Sequence, residues 1–127
     1  MFQYEMDSSR YLPEGSRIGT LSNREATQSI AALERAMAEE KILEGVAMLC
    51  DHSLNLHVSV GNFRGIIPHE EVAYQVDGEP IKDIAVISRV GKPICFRVVG
   101  VMRTERGEEP QLLLSRRLAQ RECTSHF

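Results

Sequence analysis

The spacing of apolar residues changes from a helical to an extended period near residue 42. Before that point, apolar residues recur at the three- and four-residue spacing of one helix face: Ala26, Ile30, Leu33 and Met37. Ser22 precedes this stripe and Glu25 follows Ser22 by three positions, which is the spacing of a reciprocal capping box. The pattern predicts one N-terminal helix over residues 22–41 that begins at Ser22. Its apolar stripe is expected to pack against the segments that follow.

Extended segments follow this helix in quick succession. The pattern predicts three strands, at residues 42–51, 54–60 and 63–67. Gly61 and Asn62 are a two-residue turn signature between the second and third strands. Pro68 ends the third strand because proline has no N–H to donate to a neighbouring strand. The three strands therefore form an antiparallel meander.

The second half of the chain supplies two further strands, at residues 93–103 and 111–115. Residues 82–91 fit either a short helix capped by Asp83 or another strand, and the composition becomes helical again from Ser115. Five strands with a connection between the third and fourth predict an all-β core, a five-stranded OB-fold barrel with an N-terminal helix and a short C-terminal helix. The predicted segments are a flexible arm at 1–21, the helix at 22–41, the barrel domain at 42–118 and a tail at 119–127.

Composition and charge narrow the class of protein. A chain of 127 residues with 43% hydrophobic and 26% charged residues is typical of one globular domain. The N-terminal segment has no apolar run of the kind found in signal peptides or membrane spans, so we expect a cytoplasmic chain. The net charge of −3 argues against binding nucleic acid by bulk charge alone, although basic residues outnumber acidic ones between Lys82 and Arg121.

The sequence gives little support for a metal site or for an enzyme active site. Cys50, His52 and His57 lie close in sequence, but no second cysteine pair completes a zinc site, so buried cysteine and surface histidine are expected, with no metal and no cofactor. The three cysteines (Cys50, Cys95 and Cys123) are widely spaced, which predicts reduced thiols. Glu70 and Glu71 flank no visible nucleophile, so no enzyme activity is expected.

Four short motifs occur in a familiar order. They are Gly45-Val46, the turn glycines Gly61 and Gly65, Val90-Gly91-Lys92, and Leu114-Ser115-Arg116-Arg117. In this order and spacing they resemble the S-one RNA-binding domain family, the OB-fold repeat of the largest small-subunit ribosomal protein. The resemblance covers residues 42 to about 118, and the preceding helix is similar to the lead-in helix that often comes before such a domain.

The resemblance implies binding of single-stranded RNA on the face of the second and third strands, in bacterial translation or RNA metabolism, by base stacking and phosphate contacts. The family's stacking positions fall here on Leu54, His57 and Pro68, so two of the three have lost a ring that stacks. What remains for stacking is His57 and Phe63. The candidate phosphate contacts are Arg64, Lys92, Arg97, Arg116 and Arg117. We expect weak, salt-dependent binding.

A protein-interaction module is the alternative, in which the barrel has lost most of its RNA-stacking surface and docks a protein partner instead. Phe63 also fits the barrel core, where aromatic residues are often buried. The two functions make different structural predictions. RNA binding predicts that His57, Arg97, Arg116 and Arg117 converge on one face, whereas an interaction module predicts an exposed apolar patch. The oligomeric state is left open by the sequence.

Overall fold

The computed structural model describes residues 13–73, 82–103 and 109–124, with side chains to residue 120. Its strands are β1 (Leu43–Cys50), β2 (Leu56–Val60), β3 (Phe63–Ile67), β4 (Pro93–Met102) and β5 (Gln111–Ser115). The described helices are α1 (Leu21–Ala26), α2 (Ile30–Ala38), α3 (Asp83–Ile87) and α4 (Arg116–Thr124), with a 3-10 turn at His69–Glu71. The first twelve residues of the predicted arm, residues 74–81, 104–108 and 125–127, and the side chain of Cys123 lie outside the described residues.

The five strands close into a barrel in the order β1-β2-β3-β5-β4. Neighbouring strands are antiparallel except β3 and β5, which run parallel from the pair Arg64–Gln111 to the pair Ile66–Leu113. β1 pairs with both β2 and β4 and so completes the circle. This is the strand arrangement of an OB-fold barrel, as the sequence predicts. The five-stranded barrel is consistent with the S-one OB fold that the motifs resemble.

The barrel interior is filled by alternate residues of the strands. Leu56, Val58 and Val60 of β2 point inward, as their alternation with polar residues predicts. Phe96 of β4 is the largest fully buried side chain. Leu33 of α2 is fully buried and belongs to the same apolar cluster as the barrel residues, so the helix covers the barrel core.

The prediction of one helix over residues 22–41 is wrong, because the segment forms two helices. Thr20, and not Ser22, is the N-cap of α1, and its hydroxyl accepts a hydrogen bond of 3.2 Å from the N–H of Asn23. α1 ends at Ala26, and Ser29 caps α2 by accepting from the N–H of Ala32 at 3.1 Å. Hydroxyl side chains that satisfy the exposed N–H groups of a helix terminus make a second helix start favourable at Ser29.

The ambiguous segment before β4 contains the helix α3, and its N-cap is Lys82 while Asp83 lies in its first turn. α4 follows β5 directly, in agreement with the helical composition from Ser115. Within the described ranges, no helix is long and apolar enough to span a membrane. The proposed domain boundaries stay a prediction.

Residues 13–20, inside the predicted arm, are fastened to the barrel by the buried carboxylate of Glu44. This carboxylate accepts hydrogen bonds from the N–H of Gly15 at 2.9 Å and of Arg17 at 2.8 Å. The backbone of Glu44 also exchanges two hydrogen bonds with the side chain of Asn23 in α1. A single strand residue therefore holds both the lead-in segment and the first helix against β1.

Candidate nucleic-acid interface

The outer face of β2 and β3 presents two adjacent rows of side chains. One row pairs Ser59 with Arg64 and the next pairs His57 with Ile66. Arg64 is exposed and the other three are partly exposed, because their strand neighbours point into the barrel. Paired residues on neighbouring strands lie about 5 Å apart, so one polar and one cationic side chain adjoin an imidazole and an aliphatic side chain.

His57 is held in place by a carboxylate. Its Nε2 lies 2.9 Å from Oδ2 of Asp51, and the imidazole N–H donates because an ionised carboxylate only accepts. The hydrogen bond from His57, with others from Asn55 and Ser53, lowers the pKa of Asp51 to about 2. The side chain of His57 remains 34% exposed, so one part of the ring contacts the carboxylate while another faces solvent.

Phe63 begins β3 and is partly buried against the barrel core. This position agrees with the reading of Phe63 as a core residue. Its neighbour Arg64 points to the other side of the strand and is exposed. Of the two residues retained for stacking, His57 is therefore the one on the outer face.

Arg116 does not extend from the barrel rim as predicted, since only 3% of it is exposed. Its guanidinium donates two hydrogen bonds of 2.7 Å to the carboxylate of Glu14 and a third, of 2.8 Å, to the carbonyl oxygen of Val72. Burial by itself would raise the pKa of Glu14, but the hydrogen bonds and charge of Arg116 outweigh it and lower that pKa. The Arg116 side chain thus has a structural role inside the fold, and its contact with an anionic ligand stays a prediction that this burial does not favour.

Two more of the predicted arginines, Arg97 and Arg117, form ion pairs with glutamates at different places. Arg117 donates from Nε to Glu71 at 3.2 Å, and its side chain is 34% exposed. Arg97 of β4 lies 3.5 Å from Glu40, beyond the end of α2. Phe96 pairs with Leu43 at the start of β1, whereas His57 pairs with Leu49 near its end, so Arg97 and His57 do not share a row. The predicted convergence of His57, Arg97, Arg116 and Arg117 is not observed.

Lys92 is exposed just before β4. Its carbonyl accepts a hydrogen bond from the N–H of Ala47, and the next residue, Pro93, pairs with Val46. Lys92 thus lies beside β1. Pro93, Val46, Ser59 and Arg64 follow one another across β4, β1, β2 and β3, so β1 and β2 lie between Lys92 and Arg64. The two exposed cations flank the outer face from opposite sides, about three strand spacings apart.

Exposed apolar side chains on β1 are a feature that the sequence pattern did not reveal. Val46, Met48 and Leu49 all point outward, and β1 is irregular between Ala47 and Leu49. Such a bulge shifts the alternation of side chains, so two consecutive apolar residues reach the surface. The sequence "VAMLC" predicts a strand that is buried on both faces. The exposure of its side chains follows from the break in register, which is visible only in the folded strand.

No group of three or more His, Cys, Asp or Glu residues is arranged to hold a metal ion within the described ranges. Burial raises the pKa of the Cys50 thiol, and the negative charges of Asp51 and Asp83 raise it further. A raised thiol pKa opposes formation of the thiolate that metal binding and nucleophilic attack require.

Comparison with known proteins gives a likeness in structure but none in sequence. No family model and no curated protein matches the sequence. The fold is similar to the solution structure of GSP13 from Bacillus subtilis, with a TM-score of 0.46 and 18% sequence identity. The match covers 64% of this chain and 56% of GSP13, so the chain spans just over half the length of that protein.

Proposed function

We propose that the outer face of β2 and β3 binds single-stranded RNA without catalysis. One observation carries the proposal: Arg64, Ser59, His57 and Ile66 occupy two adjacent rows of this face and are at least partly exposed. An exposed imidazole beside a cation offers a base a stacking partner and a phosphate a charge. The sequence resemblance to the S-one family adds support, because that family uses the same face.

In this mechanism the RNA strand runs along β3. Arg64 contacts a phosphate near the β2–β3 turn, a base stacks on the exposed side of His57, and Arg117 contacts a second phosphate beyond the end of β3. Asp51 holds the imidazole through its 2.9 Å hydrogen bond, so stacking requires no large rearrangement of His57. Glu71 competes for Arg117, which makes Arg64 the stronger of the two phosphate contacts.

The electrostatic contribution is small under this proposal. Neutralisation of about two phosphates gives a slope of roughly −1.4 for log affinity against log salt concentration on a single strand. Stacking of one base contributes about 1–3 kcal/mol. Binding is therefore weak and only moderately sensitive to salt, in keeping with a net charge of −3.

Fluorescence anisotropy with a labelled, mixed-sequence single-stranded RNA tests the proposal at low and at moderate salt. We expect saturable binding that Arg64→Ala and His57→Ala each weaken several-fold. Arg35→Ala is the matched control, because Arg35 is an exposed arginine on α2, away from the β2–β3 face. No binding at low salt, or equal losses in Arg64→Ala and Arg35→Ala, would overturn the proposal.

A protein-interaction module is the second candidate function. The observation that favours it is the exposed apolar surface of β1, next to the exposed Ile84 and Ile87 of α3. Apolar side chains that cluster on a surface are typical of protein contacts. An absence of RNA binding together with concentration-dependent association of the protein would favour this candidate.

A further inference from the structure

Six exposed apolar side chains lie on β1 and on residues 83–91, which we call the α3 segment. We refer to these six side chains as the apolar strip. They are Val46, Met48, Leu49, Ile84, Ile87 and Val90. The strip is well exposed at its centre, where Met48 is 49% accessible, and on α3, where Ile84 is 68% accessible. Single exposed apolar residues are common on proteins, but a group of this kind on two adjoining elements indicates a contact surface.

Backbone hydrogen bonds make the strip continuous. The N–H of Gly91 donates to the carbonyl of Ala47 at 2.8 Å, and the N–H of Ala47 donates to the carbonyl of Lys92 at 3.1 Å. These bonds attach the end of the α3 segment to the middle of β1. At the other end of the segment, Asp83 lies near enough to Cys50 for its charge to raise the pKa of that thiol. The residues that follow α3 therefore lie beside Ala47 in the middle of β1, and the start of α3 lies towards Cys50.

The two ends of the strip differ in charge. Asp51 and Asp83 lie at the Cys50 end, where Lys82 at the start of α3 is also exposed. Lys92 lies at the Val46 end, and Arg89 there forms a 3.6 Å ion pair with Glu14. Val46 and Cys50 are four residues apart on one strand, so the ends are separated by about 13 Å. The strip thus has an apolar centre, an acidic end and a basic end.

We propose that the apolar strip binds the strip of a second copy of this chain, antiparallel, about a two-fold axis near Met48. A two-fold contact brings the same patch of both copies together, so the acidic end of one faces the basic end of the other. In that arrangement two equivalent contacts form, each between Asp83 of one copy and Lys92 of the other. The Met48 side chains of the two copies pack against each other at the axis. The contact gives the second candidate function a partner and is independent of Arg64.

The closed barrel supports side-chain packing as the mode of contact. Each of the five described strands has a neighbour on both sides in the order β1-β2-β3-β5-β4, which favours contact through side chains over pairing at a strand edge. The bulge between Ala47 and Leu49 brings Leu49 outward beside Met48 at the middle of the strip. An apolar centre bordered by complementary charges matches the usual composition of protein interfaces.

Sedimentation equilibrium over a wide concentration range, on nuclease-treated protein, measures the association. We expect a reversible dimer whose dissociation constant rises about a hundredfold in Met48→Glu, because two carboxylates then face each other at the axis. Met102→Glu is the matched control, since Met102 is 44% exposed at the far end of β4, outside the strip. A monomer at every concentration, a dimer that persists in Met48→Glu, an equal effect of Met102→Glu, or loss of the dimer on nuclease treatment would overturn the proposal.

Charge reversal tests the antiparallel arrangement and does not depend on how Met48→Glu folds. Asp83→Lys and Lys92→Glu should each raise the dissociation constant about tenfold, since each substitution creates two like-charge contacts in a symmetric dimer. The double variant Asp83→Lys, Lys92→Glu should recover most of the affinity. Additive losses in the double variant would overturn the arrangement. RNA binding by a protein that stays monomeric would overturn this inference alone, whereas a dimer that binds no RNA would overturn only the proposed RNA function.

Discussion

The guanidinium of Arg116 and the carboxylate of Glu14 form two hydrogen bonds of 2.7 Å, although the residues are 102 positions apart in the chain. Glu14 also accepts a 2.8 Å hydrogen bond from the N–H of Cys95 at the start of β4. One carboxylate thus joins the lead-in segment, β4 and α4. Burial of this charge is favourable only while the opposite charge and its hydrogen bonds are in place.

Removal of Arg116 should therefore destabilise the protein. We expect Arg116→Ala to lower the free energy of unfolding by about 3 kcal/mol, because the Glu14 carboxylate loses two of its hydrogen bonds and the carbonyl of Val72 loses the one from Arg116. Urea denaturation followed by circular dichroism measures the loss. The adjacent Arg117→Ala is the control and should cost about 0.5 kcal/mol, since its partly exposed ion pair is screened by solvent. Equal losses in the two variants would contradict the structural role of Arg116.

The β2–β3 turn gives a second prediction. Gly61 has a φ of +58°, and an added Cβ would lie 2.5 Å from the carbonyl oxygen of Thr27. Gly91 has a φ of +85°, but an added Cβ there would meet no atom within 4 Å. Gly91→Ala should therefore cost only the backbone strain, about 1 kcal/mol, and Gly61→Ala clearly more. Thermal denaturation of both variants checks the order, and a smaller loss for Gly61→Ala would contradict it.

The Asp51–His57 pair gives a prediction about pH. The hydrogen bond from His57 lowers the pKa of Asp51 from 3.8 to about 2, so ionised Asp51 stabilises the folded state. This stabilisation is fully present above pH 3.8, the ordinary pKa of the carboxyl, and disappears as the pH falls through about 2. The carboxyl carbon of Asp51 should titrate in an NMR experiment with a midpoint near that lower value, and the midpoint should rise in His57→Ala. A midpoint near 3.8 in the unaltered protein would show that the pair does not persist in solution.

Glu44 gives a prediction about the segment before α1. Its carboxylate accepts from the N–H groups of Gly15 and Arg17, which lie in an otherwise irregular part of the chain. We expect native-state hydrogen exchange to show protection at these two amides, with loss of that protection in Glu44→Ala. The amide of Ser16, which donates to Pro13 at 3.2 Å, is an internal comparison within the same turn. Unprotected Gly15 and Arg17 amides in the unaltered protein would contradict the attachment of this segment.

The strands could be predicted from the sequence because their signals are local. Alternation in β2, the Gly61-Asn62 turn and the stop at Pro68 each depend on neighbouring residues alone. The division of the N-terminal helix was missed because the apolar stripe continues across the break at Thr27–Ser29. Ser29 before "IAALE" was the available signal, as a side chain able to cap a new helix.

The functional assignments of the arginines could not be made in the same way. Arg116 and Arg117 are adjacent in sequence and equally basic, yet one is buried against Glu14 and the other is partly exposed beside Glu71. Partners 46 and 102 positions away decide this difference, and such pairs meet only in the folded barrel. The outward position of Leu49 likewise depends on the bulge in β1, which no residue type signals.

The distance along the chain between Glu14 and Arg116 also determines when their contact can form during protein synthesis. All five strands lie between these residues, so a ribosome has released every strand before α4 becomes available to Glu14. Until then the Glu14 carboxylate lacks the two 2.7 Å hydrogen bonds from Arg116, although the earlier residue Arg89 supplies its 3.6 Å ion pair. The attachment of the lead-in segment to α4 is therefore a late step, and a nascent chain that stops before Arg116 leaves that segment without its final contact.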